Sequence, residues 1–212
     1  ISGKPRLFYD RNKPFTRKVK FFDTYKADKE IVIPSYYVIP KSEGKIIENL
    51  KRNQIKFKEL QSDSLITVES YKIVDFKTVK NPYEGHYLHF DTQVSSELKT
   101  KKFRKGDYLV STKQSGVKFL LETLEPEAVD SYFNWNEFDG ILGQKEYFSD
   151  YVFEDTAAEL LKTNKALKTA FELKKASDAK FAEDGAAQLD WVYKNSEYYE
   201  GSVNQYPIYR IR

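Results

Sequence analysis

Two histidines, the imidazoles that could bind a metal, stand three residues apart in the run from Glu84 to Phe90. His86-x-x-His89 has the spacing of a metal-ligand pair. On a strand, however, side chains three apart point to opposite faces. The two imidazoles are therefore expected not to share an ion, and a site built on one of them needs Asp91 or a distant carboxylate as a further ligand. Carboxylates are the other candidates: Glu122 with Glu125 and Glu127, Asp130, and Glu137 with Asp139. A glycosidase needs two of these facing each other across about 5–9 Å. Spacing alone reads them as helix caps and solvated faces.

Other chemistries lack their residues. There is no Cys, which excludes a thiol nucleophile, a disulfide frame and any thiolate metal site. G-x-S-x-G, the P-loop, G-x-G-x-x-G and H-E-x-x-H are all missing from the sequence. No catalytic, cofactor or metal residues are assigned, and a stand-alone hydrolase using a carboxylate or a His-bound metal is kept as an alternative.

Aromatic side chains are the surplus: sixteen Tyr, fifteen Phe and two Trp. Such rings either pack a sheet against helices or stack on a ligand. Tyr198, Tyr199 and Tyr206 are expected to be the exposed subset, and Tyr132 and Trp135 form a second group. With His86 and His89 these are the candidate binding or interface residues, for a peptide or a glycan, and a carbohydrate- or peptidoglycan-binding module using exposed aromatics is kept as a further alternative.

The net charge of +3 is mild. The densest basic run, Lys99, Lys101, Lys102, Arg104 and Lys105, is followed by Asp107. It reads as a solvated hairpin whose lysines guard a sheet edge, so no nucleic-acid partner is expected. No apolar run reaches the roughly 20 residues of a membrane span. The chain opens without Met and without an apolar leader, which reads as a piece of a longer protein.

Those side chains need elements to hold them. Residues 1–33 are basic, aromatic and interrupted by Pro5 and Pro14, and read as a lead-in. Residues 36–39 read as a buried strand. Residues 43–54 read as a helix capped by Ser42, with Ile46, Ile47 and Leu50 on one face. Residues 55–60 alternate as a strand, which completes a strand–helix–strand unit. Residues 65–79, 86–94 and 108–111 read as antiparallel strands of a sheet or sandwich. After residue 115 the pattern turns helical. Helices are predicted over 117–124, from 132 to 142, over 155–162, over 165–176 behind Asn164, and over 185–194 behind Asp184, with a short turn behind Asp178. Residues 206–211 read as an edge strand beginning near Pro207. The fold class is α+β: a strand–helix–strand lead-in, an antiparallel sheet or sandwich over about 65–111, and a mainly helical half packed on it.

Several blocks carry a resemblance. They are PSYYVIP (34–40), NPYEGHYLHF (81–90), FRKGDYLV (103–110), the long string from Leu120 to Leu161, and QLDWVYKNSEYYE (188–200). Together they resemble the C-terminal, non-catalytic region of large bacterial zinc carboxypeptidases of the carboxypeptidase A type, as found in Bacteroidota. The resemblance runs from about Pro34 to the end. It implies an accessory domain over 34–212, joined by 1–33 to an upstream peptidase domain that would be its partner. It implies an exported or cell-envelope location, and zinc in the parent rather than here. The family's H-x-x-E zinc motif has no match, since His86 is followed three residues later by His89 and His89 by Thr92. Its catalytic residues therefore carry over to no position.

Overall fold

The computed structural model describes residues 1–27 and 29–212. The described residues fall into two units, Ile1–Val32 and Ile33–Arg212. The first contains no helix or strand, apart from one turn in which Asp10 accepts from the Asn12 amide at 3.0 Å. Leu7, Phe8, Phe15, Phe21, Phe22 and Tyr25 are each at least 72% exposed.

The second unit is α+β. It contains β1 (Tyr36–Ile39), α1 (Gly44–Arg52), β2 (Lys58–Glu59), β3 (Ser64–Thr78), β4 (His89–Phe103), β5 (Tyr108–Ser111), α2 (Val117–Leu124), α3 (Asp150–Thr163), α4 (Lys165–Ser177), α5 (Ala179–Glu183), α6 (Gly185–Lys194) and β6 (Gln205–Ile211). All strand pairs are antiparallel, in one six-stranded sheet of order β2-β5-β1-β6-β3-β4. No helix among the described residues is long and apolar enough to cross a membrane.

The sheet curls. β4 ends at Phe103 and β5 begins at Tyr108, although they are sixth and second in the order. Five residue steps reach at most about 18 Å, and the Arg104–Asp107 turn, closed by a 3.0 Å backbone bond, shortens that. Four strand spacings in a flat sheet need about 19 Å. Only a coiled sheet closes this gap. One face buries Val38, Val68, Phe103 and Tyr209. The other buries Tyr37, Ile39, Ile73, Tyr206 and Ile208 against α1, α2 and the 131–142 segment.

Several expectations are corrected. The predicted strand over 55–60 contracts to Lys58–Glu59. The helix expected from 132 to 142 is a series of turns ending in a 3-10 turn, Asp139–Ile141. Its backbone is broken by Asn136 at φ 65, a left-handed conformation that a helix does not contain. β6 is not an edge strand but lies between β1 and β3, and the absent N–H of Pro207 falls where the β3 ladder shifts register. The helices α3–α6 enclose a core of their own, of Phe153, Leu167, Phe171, Phe181, Val192 and Tyr193. Single residues join them: Asn164, Asp178 and Asp184 each cap the next helix by accepting from its backbone. Helices joined so tightly fold onto one another. Ser42 does not cap α1, because its hydroxyl donates to the Glu43 carboxylate instead.

Candidate functional site

The structure gathers four of the seven candidates in one region. The 131–142 segment docks on the start of β4 and on the turn before it. Thr123 C=O accepts from Tyr132 N–H, and Asn134 C=O accepts from His89 N–H, both at 2.9 Å. Ser131 donates to Pro126 C=O and accepts from Asn134 N–H. Asn134 then donates to Ala128 C=O at 2.8 Å and accepts from the Thr92 hydroxyl at 2.8 Å. These bonds fix a chain that has no helical ladder of its own.

His89 is buried in this seam at 6% exposure. Its Nδ1 lies 2.9 Å from the Thr78 hydroxyl, directly across the β3–β4 ladder, and its Nε2 lies 3.0 Å from an Asp139 carboxylate oxygen. The ring packs against Phe76 and Phe133. Both ring nitrogens are thus engaged within the protein. His86 is not on β4; it lies in the turn before it, where Tyr83 and His86 exchange two 2.9 Å backbone bonds. Its ring stands edge-on to Trp135 at 5.5 Å, with Tyr83 on Trp135 at 6.3 Å. The strand argument for keeping the two imidazoles apart therefore does not apply, but they still serve different neighbours. Among the described residues, no three His, Asp or Glu side chains are gathered as a metal site.

Tyr132 is buried beneath this region, edge-on to Phe138. Burial pushes its hydroxyl pKa up. Tyr206 is corrected outright: it is fully buried, donates to Leu124 C=O at 2.8 Å, and packs on Phe138. No ligand reaches it. Tyr199 is half-buried against Tyr193. Tyr198 is exposed, and borders a shallow cleft of about 350 Å³ with Asp155, Glu159 and Leu160.

Two groups were missed. Tyr83 and Tyr87 stand exposed on the turn beside His86, at 57% and 52%. Asn136, held in its left-handed conformation, donates to Tyr87 C=O at 2.9 Å and so fixes that turn. The signal was the turn sequence itself, Asn81-Pro82-Tyr83-Glu84-Gly85, which places rings where the chain must be exposed. The second group is a buried charge network. Arg210 lies 2.7 Å from Glu69 and 3.1 Å from Glu125, all three buried. Tyr37 donates to Glu125, Arg210 donates to Tyr71, and Arg212 pairs with Glu69. Glu125, expected on a solvated face, is therefore a core residue. The signal was the register of β6: Tyr206, Ile208 and Arg210 share a face, so an inward arginine demanded inward carboxylates.

No family model, no curated protein and no solved structure matches this chain.

Proposed function

We propose that this chain is the non-catalytic accessory domain of an exported zinc carboxypeptidase and that it docks against its peptidase domain. The observation that carries this reading is the Ile1–Val32 unit. It has nine basic and four acidic residues, no helix or strand among its described residues, and large apolar side chains that stand exposed. Exposed aromatics in such number belong to an interface, where the partner removes them from water. The basic excess suits an acidic partner surface and speeds encounter with it. The blocks between 34 and 212 that resemble such enzymes supply the identity of the partner.

The polar groups elsewhere support the same reading. His89 is held at both ring nitrogens, and Glu69 and Glu125 are committed to Arg210. Zinc chemistry, in this reading, belongs to the upstream domain. The experiment is to mix that peptidase domain with this chain, with and without residues 1–32, and measure association. A dissociation constant of about 1 μM or tighter is expected, weakened at least about tenfold without the segment. Absence of association, or zinc-dependent release of C-terminal residues from peptides by this chain alone, overturns the proposal.

A further inference from the structure

We propose that the face formed by Tyr83, His86, Tyr87 and Trp135 binds a neutral sugar chain. Three of the rings form one surface: Trp135 is flanked by His86 at 5.5 Å and by Tyr83 at 6.3 Å; Tyr83 is 57% exposed, and Tyr87, 52% exposed, follows His86 in the chain. None of these four side chains makes a hydrogen bond to another side chain or backbone group among the described residues. Two phenol hydroxyls, an imidazole and an indole N–H are thus left open beside their own apolar rings. Tyr and Trp enclosed by a protein ordinarily satisfy these edges.

That combination selects the ligand. A purely apolar partner would strand four polar edges, and burying them unpaired is unfavourable. A purely ionic ligand would leave the rings in water. A pyranose ring offers a C–H face to stack on an aromatic and hydroxyls around its rim to meet phenol, indole and imidazole. Charge narrows the class further. Asp139, whose side chain is 48% exposed, lies on the flank with its carboxylate on His89, and exposed Glu84 sits within the turn. Both repel an anionic ligand, so a neutral sugar fits better than nucleic acid or an acidic glycan.

The face is also set in advance. The paired backbone bonds between Tyr83 and His86, the left-handed Glu84 and Gly85 between them, and the Asn136 bond to Tyr87 C=O hold the turn. A ligand therefore meets rings already in place, and little ordering opposes binding. This proposal does not rest on the docking reading above.

The test uses the full chain carrying Trp191→Phe, which leaves Trp135 as the single indole. Its fluorescence is titrated with cellohexaose, maltohexaose, mannohexaose and the hexamer of β-1,4-linked N-acetylglucosamine. A saturable change with at least one of them is expected. Tyr83→Ala, an exposed substitution, should weaken it at least about tenfold, whereas Tyr198→Ala should leave it unchanged. In the chain with Trp191 retained, Trp135→Ala should abolish binding measured by calorimetry, and Trp135→Phe should restore part of it. No saturation by any hexasaccharide up to about 10 mM overturns the proposal. So does binding that Tyr83→Ala leaves intact, or a response only to an oligolysine peptide that salt removes, which would make this a cation site.

Discussion

The Nε of Arg210 lies 3.1 Å from a carboxylate oxygen of Glu125, and neither side chain is more than 6% exposed. The pair joins the central strand β6 to the C-terminal end of α2, and the other arm of the guanidinium reaches Glu69 on β3 at 2.7 Å. One side chain thus ties three elements of the sheet core. A buried ion pair is a weak source of net stability but a strong constraint on arrangement, because breaking it strands a charge.

Arg210→Met should therefore destabilise the chain by about 3–5 kcal/mol, since it leaves Glu69 and Glu125 buried without their shared cation. Glu125→Gln should cost less, about 1–3 kcal/mol, because an amide oxygen still accepts from Tyr37. Urea unfolding measures both. An Arg210→Met variant as stable as the parent would show that the network is not closed in solution.

The same carboxylates should give stability a two-sided pH profile. Burial raises the Glu125 carboxyl above its ordinary value, opposed by the Tyr37 hydrogen bond and the Arg210 charge. Its folded form holds the proton more tightly than the unfolded chain, so stability falls as pH rises above about 4.3, up to the folded value. Glu69 goes the other way. Burial pulls it up, but the Arg212 hydrogen bond and the Arg210 charge outweigh that and lower it. Its contribution is present above about pH 4.3 and lost on acidification. Unfolding free energies across this range should lose their upper limb in Glu125→Gln and part of their acid limb in Glu69→Gln. Identical profiles for the two variants would refute the assignment.

Glu200 staples the segment after Gly143. One of its carboxylate oxygens accepts from the Lys145 and Glu146 amides at 2.7 and 3.0 Å, and the other accepts from the Ser202 hydroxyl. With the Ser202 bond as the largest cause, its pKa is brought down to about 2. The staple should therefore hold until the pH falls toward that value. In Glu200→Ala, hydrogen exchange at the Lys145 and Glu146 amides should quicken by about tenfold or more, with helix content unchanged. Unaltered exchange would mean that the loop is held by other contacts.

Asp184 accepts from the Ala187 amide at 2.9 Å and so starts α6, which supplies Val192 and Tyr193 to the helical core. Asp184→Ala should lower stability by about 1 kcal/mol, and Asp184→Ser should recover most of it. Thermal melting followed by circular dichroism measures the pair, and failure of serine to rescue would assign the loss to something other than capping.

Gly116 precedes α2, and a Cβ there would stand 2.2 Å from the Cδ1 methyl of Ile55. Gly116→Ala should cost about 1–3 kcal/mol from this overlap. Ile55→Val removes that methyl, so the double variant should be more stable than the sum of the single effects predicts. Strict additivity would mean that Ile55 has room to rotate away.

Local pattern made some of this legible and hid the rest for specific reasons. Val117–Leu124 and Gly185–Lys194 follow from apolar spacing with a marked boundary, and β5 follows from a turn before alternation. The 132–142 run has the spacing of a helical face, yet Ser131 and Asn134 divert the backbone into side-chain bonds and Asn136 reverses its hand. Periodicity registers which positions are buried, not whether the buried face is helical. Tyr206 misled for a similar reason: beside a proline near the end of the sequence it reads as an edge residue, while the strand that carries it lies in the middle of the sheet.

What the sequence determined by itself is the class of the fold and the place of most helices, because capping and amphipathic spacing act within a few residues. It also determined that aromatic side chains exceed what one core needs. Only the tertiary structure decided which of them are available. Pairing β6 between β1 and β3 buried Tyr206 and Arg210, and docking the 131–142 segment on the turn before β4 set Trp135 against His86 and Tyr83. Such contacts join residues about fifty to well over a hundred positions apart. They are fixed by the register of a whole sheet, which no local window contains.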